Sequence, residues 1–184
     1  MSLGLVNEIE RHLWPEGQRR DVWMILDGAR DPRIFPMLLD CHLEYACLYA
    51  GPLHPALEVA APYLVQLDYD YKDTHRFIRT AWGNSWGVFL KSDASLRRIR
   101  AHLRSLLIVR DQKGSRLVFR YYDPRVLRIY LPTCTATELD TVFGPIESFT
   151  LEDESPGTLL AFRQDGQRLV RTARSLPISA AAGG

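Results

Sequence analysis

The stretch DVWMILDGARDPRIFPMLLD, Asp21 to Asp40, decides how the chain folds. Asp21–Leu26 is an apolar run of strand length. Gly28 and the tripeptide Asp31-Pro32-Arg33 follow, and a second apolar run fills 34–39. This is a buried-type strand turning a corner into a helix over Pro32–Leu39, with Pro36 expected to kink or break it. The unit recurs as LVFRYYDPRVLRIYL, Leu117 to Leu131, with Asp123-Pro124-Arg125 at its corner. Asp at an N-cap accepts the free N–H groups of the first turn, and Pro at the first helical position lacks an N–H that would have had no partner. Both tripeptides therefore read as helix starts. Their arginines do not. Arg33 and Arg125 stand at the helix end whose dipole disfavours a cation, so each needs a carboxylate or a partner.

Outward from these corners, strands alternate with helices. Residues 3–14 form an amphipathic helix stopped at Trp14-Pro15. Strands are expected at 45–49, 63–67 and 86–90, and helices at 74–82 and 95–106. In the second of these helices Leu96, Ile99, Leu103 and Leu106 share one stripe. The segments 107–110 and 117–122 read as a hairpin with Gly114 in its turn. Helices at 124–131 and 136–143 and strands at 148–152 and 158–162 complete the series. The fold class expected is α/β or α+β: a mixed β-sheet with flanking helices and late β-hairpins. Residues 1–20 hold the N-terminal amphipathic helix, 21–163 the main domain, and 164–184 read as a flexible tail with little to bury.

The chain has 184 residues, 46% of them hydrophobic and 24% charged, which suits one globular core. Its apolar runs fall short of the roughly 20 residues of a membrane helix. The opening MSLGLVNEIERHLWPEG lacks a signal-peptide pattern, and Cys41, Cys47 and Cys134 form neither a disulfide framework nor a zinc motif. A reducing cytoplasm and no membrane partner are expected. Net charge is +1 but uneven. Lys91–Tyr130 carries 11 Lys/Arg against three acids, whereas 131–161 carries six acids and no Lys or Arg. The two blocks either compensate each other or face different partners.

Candidate chemistry is sparse. Ser85, His75 and Asp73 can be written as a triad, but no nucleophile elbow surrounds the serine. His42 between Cys41 and Cys47 lacks a second ligand cluster, so no metal is expected. No phosphate-binding glycine loop is present, and no cofactor is expected. Asp27 ends a strand as catalytic carboxylates often do, yet Gly28 after it favours an Asx turn. The stripe Arg97, Arg100, Arg104 reads as a solvated face, a surface for an acidic protein, or a phosphate-binding surface for nucleic acid, in that order.

The ordered segments Leu26–Pro32, Trp86–Leu90, the basic helix, Phe119-Arg120-Tyr121-Tyr122-Asp123-Pro124-Arg125, Leu131-Pro132 and Phe143–Ile146 resemble the type VI secretion effector adaptor/chaperone family, first catalogued as a domain of unknown function. The resemblance spans roughly 22–162. It implies a non-enzymatic cytoplasmic chaperone in a bacterium, one that binds a cognate toxic effector and promotes its loading onto the VgrG spike. By match of motif it implies roles for Trp86, Arg120, Tyr122, Asp123 and Arg125. With Arg97, Arg100 and Arg104 these form the expected partner-binding set. No catalytic residue and no nucleic-acid partner are expected. The rival readings are a small hydrolase using Asp27, Asp31 or Asp123, and a nucleic-acid module using the 97–104 stripe.

Overall fold

The computed structural model describes residues 3–15, 21–110 and 113–177. A seven-stranded sheet runs through it in the order β2-β3-β1-β4-β7-β8-β9. These strands are β1 (Val22–Asp27), β2 (Tyr45–Cys47), β3 (Pro62–Leu67), β4 (Gly87–Lys91), β7 (Ser148–Glu152), β8 (Thr158–Asp165) and β9 (Arg168–Ser175). Between them lie β5 (Ile108–Arg110) and β6 (Arg116–Val118), a separate two-stranded ribbon. The strand pairs are antiparallel. This decides between the two expected classes in favour of α+β, with the late hairpins in place.

β1 is central, and all six of its residues are buried. Its side chains alternate between two cores. Val22, Met24 and Leu26 join one with α1 (Leu3–Leu13), α2 (Ile34–Asp40) and α4 (Lys72–Ala81). Trp23 and Ile25 join the other with α5 (Leu96–Leu106), α6 (Pro124–Tyr130) and α7 (Ala136–Phe143). A strand covered on both faces needs an unbroken apolar run, which is why Val22–Leu26 lacks polar alternation. Between β1 and β4 the backbones approach so closely that a Cβ on Gly87 would lie 1.8 Å from the Ile25 carbonyl oxygen. One short helical turn, α3 (Pro55–Glu58), sits in the Pro-rich loop.

The helix starts match their chemistry unevenly. Thr135 caps α7 in a reciprocal capping box with Glu138. Asp123 caps α6 with Pro124 in the first turn, as the tripeptide predicts. At the first tripeptide the helix begins later, at Ile34, and Asp31-Pro32-Arg33 forms the turn before it. Pro36 then falls in the first turn, where its missing N–H has no intrahelical partner, so the expected kink is not needed. Ser95 occupies the α5 cap without a side-chain bond. Ser92 instead accepts from the Ala94 N–H and donates to the Pro145 carbonyl.

The reading of 164–184 as a flexible tail needs correction. β8 continues to Asp165, the chain turns at Gly166 (φ 58°), and β9 pairs back along the whole of β8. Leu176 beyond it is buried in the first core. Three arginines at 168, 171 and 174 obscure the strand pattern, because an edge strand buries so little of itself. Residues 1–2, 16–20 and 178–184 of the expected terminal segments lie outside the described residues, as do Asp111 and Gln112 of the expected hairpin turn.

His12 seals α1 against the sheet. Its Nε2 lies 3.2 Å from Thr150 Oγ1, and Lys91 Nζ donates to its carbonyl at 2.9 Å. Burial, then Lys91 and Arg174, bring its pKa from 6.5 down to about 4. Between those values the unfolded chain takes up the proton and the folded chain resists it. Stability therefore falls as pH drops from 6.5 towards 4. In urea titrations at stepped pH, His12→Gln should flatten that decline.

Candidate functional site

The ends of β1 and β7 and the start of β4 meet at one end of the sheet, and the corner before α6 closes over them. Asp27 ends β1 with its side chain 1% exposed. Its Oδ1 accepts from the Ala29 N–H at 3.2 Å, the Asx turn that Gly28 suggests. Its Oδ2 accepts from Arg120 Nη2, contributed by a residue 93 positions away. That hydrogen bond is also the leading reason the Arg120 guanidinium holds its proton more tightly than usual. Buried Tyr122 stands beside Asp27, Arg120 and Tyr49, and burial raises its phenol well above the ordinary value.

Each tripeptide arginine folds back on its own aspartate. Arg125 donates from Nε to Asp123 Oδ1 at 2.9 Å and from Nη2 to Oδ2 at 2.6 Å, while its backbone N–H also reaches Oδ1 at 3.0 Å. Arg33 makes the same fork to Asp31 at 2.9 and 2.7 Å, with its N–H at 2.9 Å. The charge that the helix dipole disfavours is thus neutralised within three residues. Burial pushes the Asp123 carboxyl up, but the Arg125 hydrogen bonds outweigh it and hold the group below its ordinary value. The Arg33 fork, helped by the Trp86 indole N–H, takes Asp31 down to about 2. Trp86 itself is 1% exposed, donates to Asp31 Oδ2 at 3.2 Å and carries the Arg33 guanidinium 5.2 Å from its ring centroid.

Glu152, ending β7, closes the floor. It accepts from the Gly83 N–H and from the Ser85 N–H and hydroxyl, the last two at 2.9 Å. Burial raises its carboxyl above the usual value despite these donors. Sequence reasoning missed both Glu152 and the Asp27–Arg120 pair. No spacing signals either one, because each joins residues far apart in the chain.

Of the expected partner-binding set, Arg120, Tyr122, Asp123 and Arg125 come together at this corner, whereas the Trp86 ring serves the Asp31-Arg33 turn and only its carbonyl meets Asp27, accepting the Asp27 N–H at 2.8 Å. Tyr122, Asp123 and Trp86 are buried, so they hold the framework rather than present a surface. Arg97, Arg100 and Arg104 lie apart on α5. Arg100 donates to the Cys47 carbonyl at 2.8 Å and lines a groove of about 330 Å³ with Phe35, Tyr45, Tyr49 and Leu53. Arg97 is exposed and Arg104 half-buried. The triad written from sequence does not assemble. Ser85 bonds Glu152, His75 bonds Glu10, and Asp73 bonds His42.

A family model described as a domain of unknown function, DUF4123, matches residues 22–141. The chain belongs to the DUF4123 family. No curated protein and no solved structure matches it. The DUF4123 segment runs from β1 into α7. It holds both tripeptides, Asp27, Trp86 and Arg120, while Glu152 and the β7–β9 strands follow it.

Asp123 is buried and caps α6. Asp123→Ala should therefore cost about 1–2 kcal/mol of unfolding free energy in urea titration.

Proposed function

We propose that this DUF4123 protein is a non-enzymatic adaptor that holds a cognate type VI secretion effector in the bacterial cytoplasm and helps load it onto VgrG. The observation that carries the reading is the β5–β6 ribbon. Ile108, Val109, Leu117 and Val118 are 40–57% exposed on it. A two-stranded ribbon with its aliphatics in water is marginal alone, and apolar surface of this kind marks a place for a protein partner. The expected partner-binding residues bracket it: α5 leads into β5, and β6 leads into Phe119 and Arg120. Arg110 and Arg116 at its end favour an acidic partner.

The corner supports the same reading through what its carboxylates do. Asp27, Asp31 and Asp123 are each engaged by an arginine and a backbone N–H. Carboxylates held so function as clasps. A general base needs a lone pair facing substrate.

Co-expression with the toxin encoded beside its gene, and separately with VgrG, tests the proposal. The wild type should co-elute with the toxin on size exclusion, and Leu117→Glu/Val118→Glu should remain folded by circular dichroism yet lose it. A wild type that elutes alone from both partners contradicts the adaptor reading.

A further inference from the structure

Away from the corner, three side chains converge where α1 meets the start of α4. They are Glu10 on α1, Asp70 in the turn after β3, and His75 on α4, with one ligand atom from each lying within 4.8 Å of the others. His75 Nε2 is 3.1 Å from Glu10 Oε1, 3.1 Å from Glu10 Oε2 and 3.8 Å from Asp70 Oδ1. Oε1 also accepts the Asp70 N–H at 2.8 Å. Glu10 is buried, His75 is half-buried, and Asp70 is open to solvent.

A three-centre hydrogen bond from Nε2 to the two Glu10 oxygens is ordinary, and Asp70 Oδ1 at 3.8 Å lies beyond hydrogen-bond reach. What sets the group apart is that an imidazole nitrogen and two carboxylates, one of them buried, gather around one point. Zinc bound at 2.0–2.2 Å in tetrahedral geometry holds its ligand atoms about 3.3–3.6 Å apart. The His75 distances of 3.1 and 3.8 Å bracket that spacing.

We propose that Glu10, Asp70 and His75 form a binding site for a divalent transition-metal ion of the zinc type. One imidazole with two carboxylates suits zinc or its first-row neighbours, whereas calcium takes oxygen ligands only. The three ligands leave a fourth position on the open Asp70 side for water. The ion fastens α1 to α4 across 65 residues of chain. The site is remote from the ribbon and does not depend on the adaptor reading.

Isothermal titration and thermal melts of the full chain with zinc chloride test it, with calcium chloride as the control. Zinc should bind in one saturable step and raise the melting temperature, and calcium should do neither. Glu10→Gln, His75→Gln and the solvent-exposed Asp70→Asn should each weaken zinc binding at least about tenfold. Asp70→Asn lies where folding is not at stake, so its result stands even if the other two variants misfold. No saturable binding, or wild-type affinity in Asp70→Asn, overturns the proposal.

Discussion

A carboxylate buried at the end of the central strand constrains the rest of the molecule. Asp27 sits where the end of β1 meets the starts of β3 and β4, out of reach of water. An unpaired charge there would cost several kcal/mol. Arg120 supplies the counter-charge, and the chain must bring it across 93 residues. Once Arg120 is fixed, so is the corner from Phe119 to Arg125. That corner sets where α6 leaves and where the β5–β6 ribbon projects. Arg120 keeps 43% of its side chain in solvent, so it joins the interior to the surface that the ribbon presents.

How much of this was legible depends on the range of each interaction. Strands such as Val22–Leu26 and helices such as Leu96–Leu106 declare themselves locally, because burial on one or both sides writes a period into the chain. The Asp-Pro-Arg corners were readable as capping chemistry, and Asp123 performs it. The arginines were identifiable only as a problem. Nothing in their spacing shows that each would turn back on its own aspartate. The Asp27–Arg120 pair and the Glu152 clamp were hidden altogether, since both join residues far apart in sequence. β9 was lost for a different reason. An edge strand with three arginines keeps little of the alternation that marks a half-buried strand.

The same distinction separates scaffold from surface. Most motif residues of the family resemblance, Trp86, Tyr122 and Asp123 among them, are inside the molecule. Their identity reflects the need to build the framework. The exposed residues are plainer ones, with four aliphatics on the β5–β6 ribbon. A motif strong in sequence therefore points to the site by way of the framework that holds it.

The central claim is that Asp27 and Arg120 act as one unit, and a double-mutant cycle measures it most directly. Unfolding free energies are needed for the wild type, Asp27→Asn, Arg120→Met and the double variant. The partial exposure of Arg120 keeps the expected coupling below that of a fully buried pair, at about 1–3 kcal/mol. A coupling indistinguishable from zero, with the two single losses simply additive, would contradict the account.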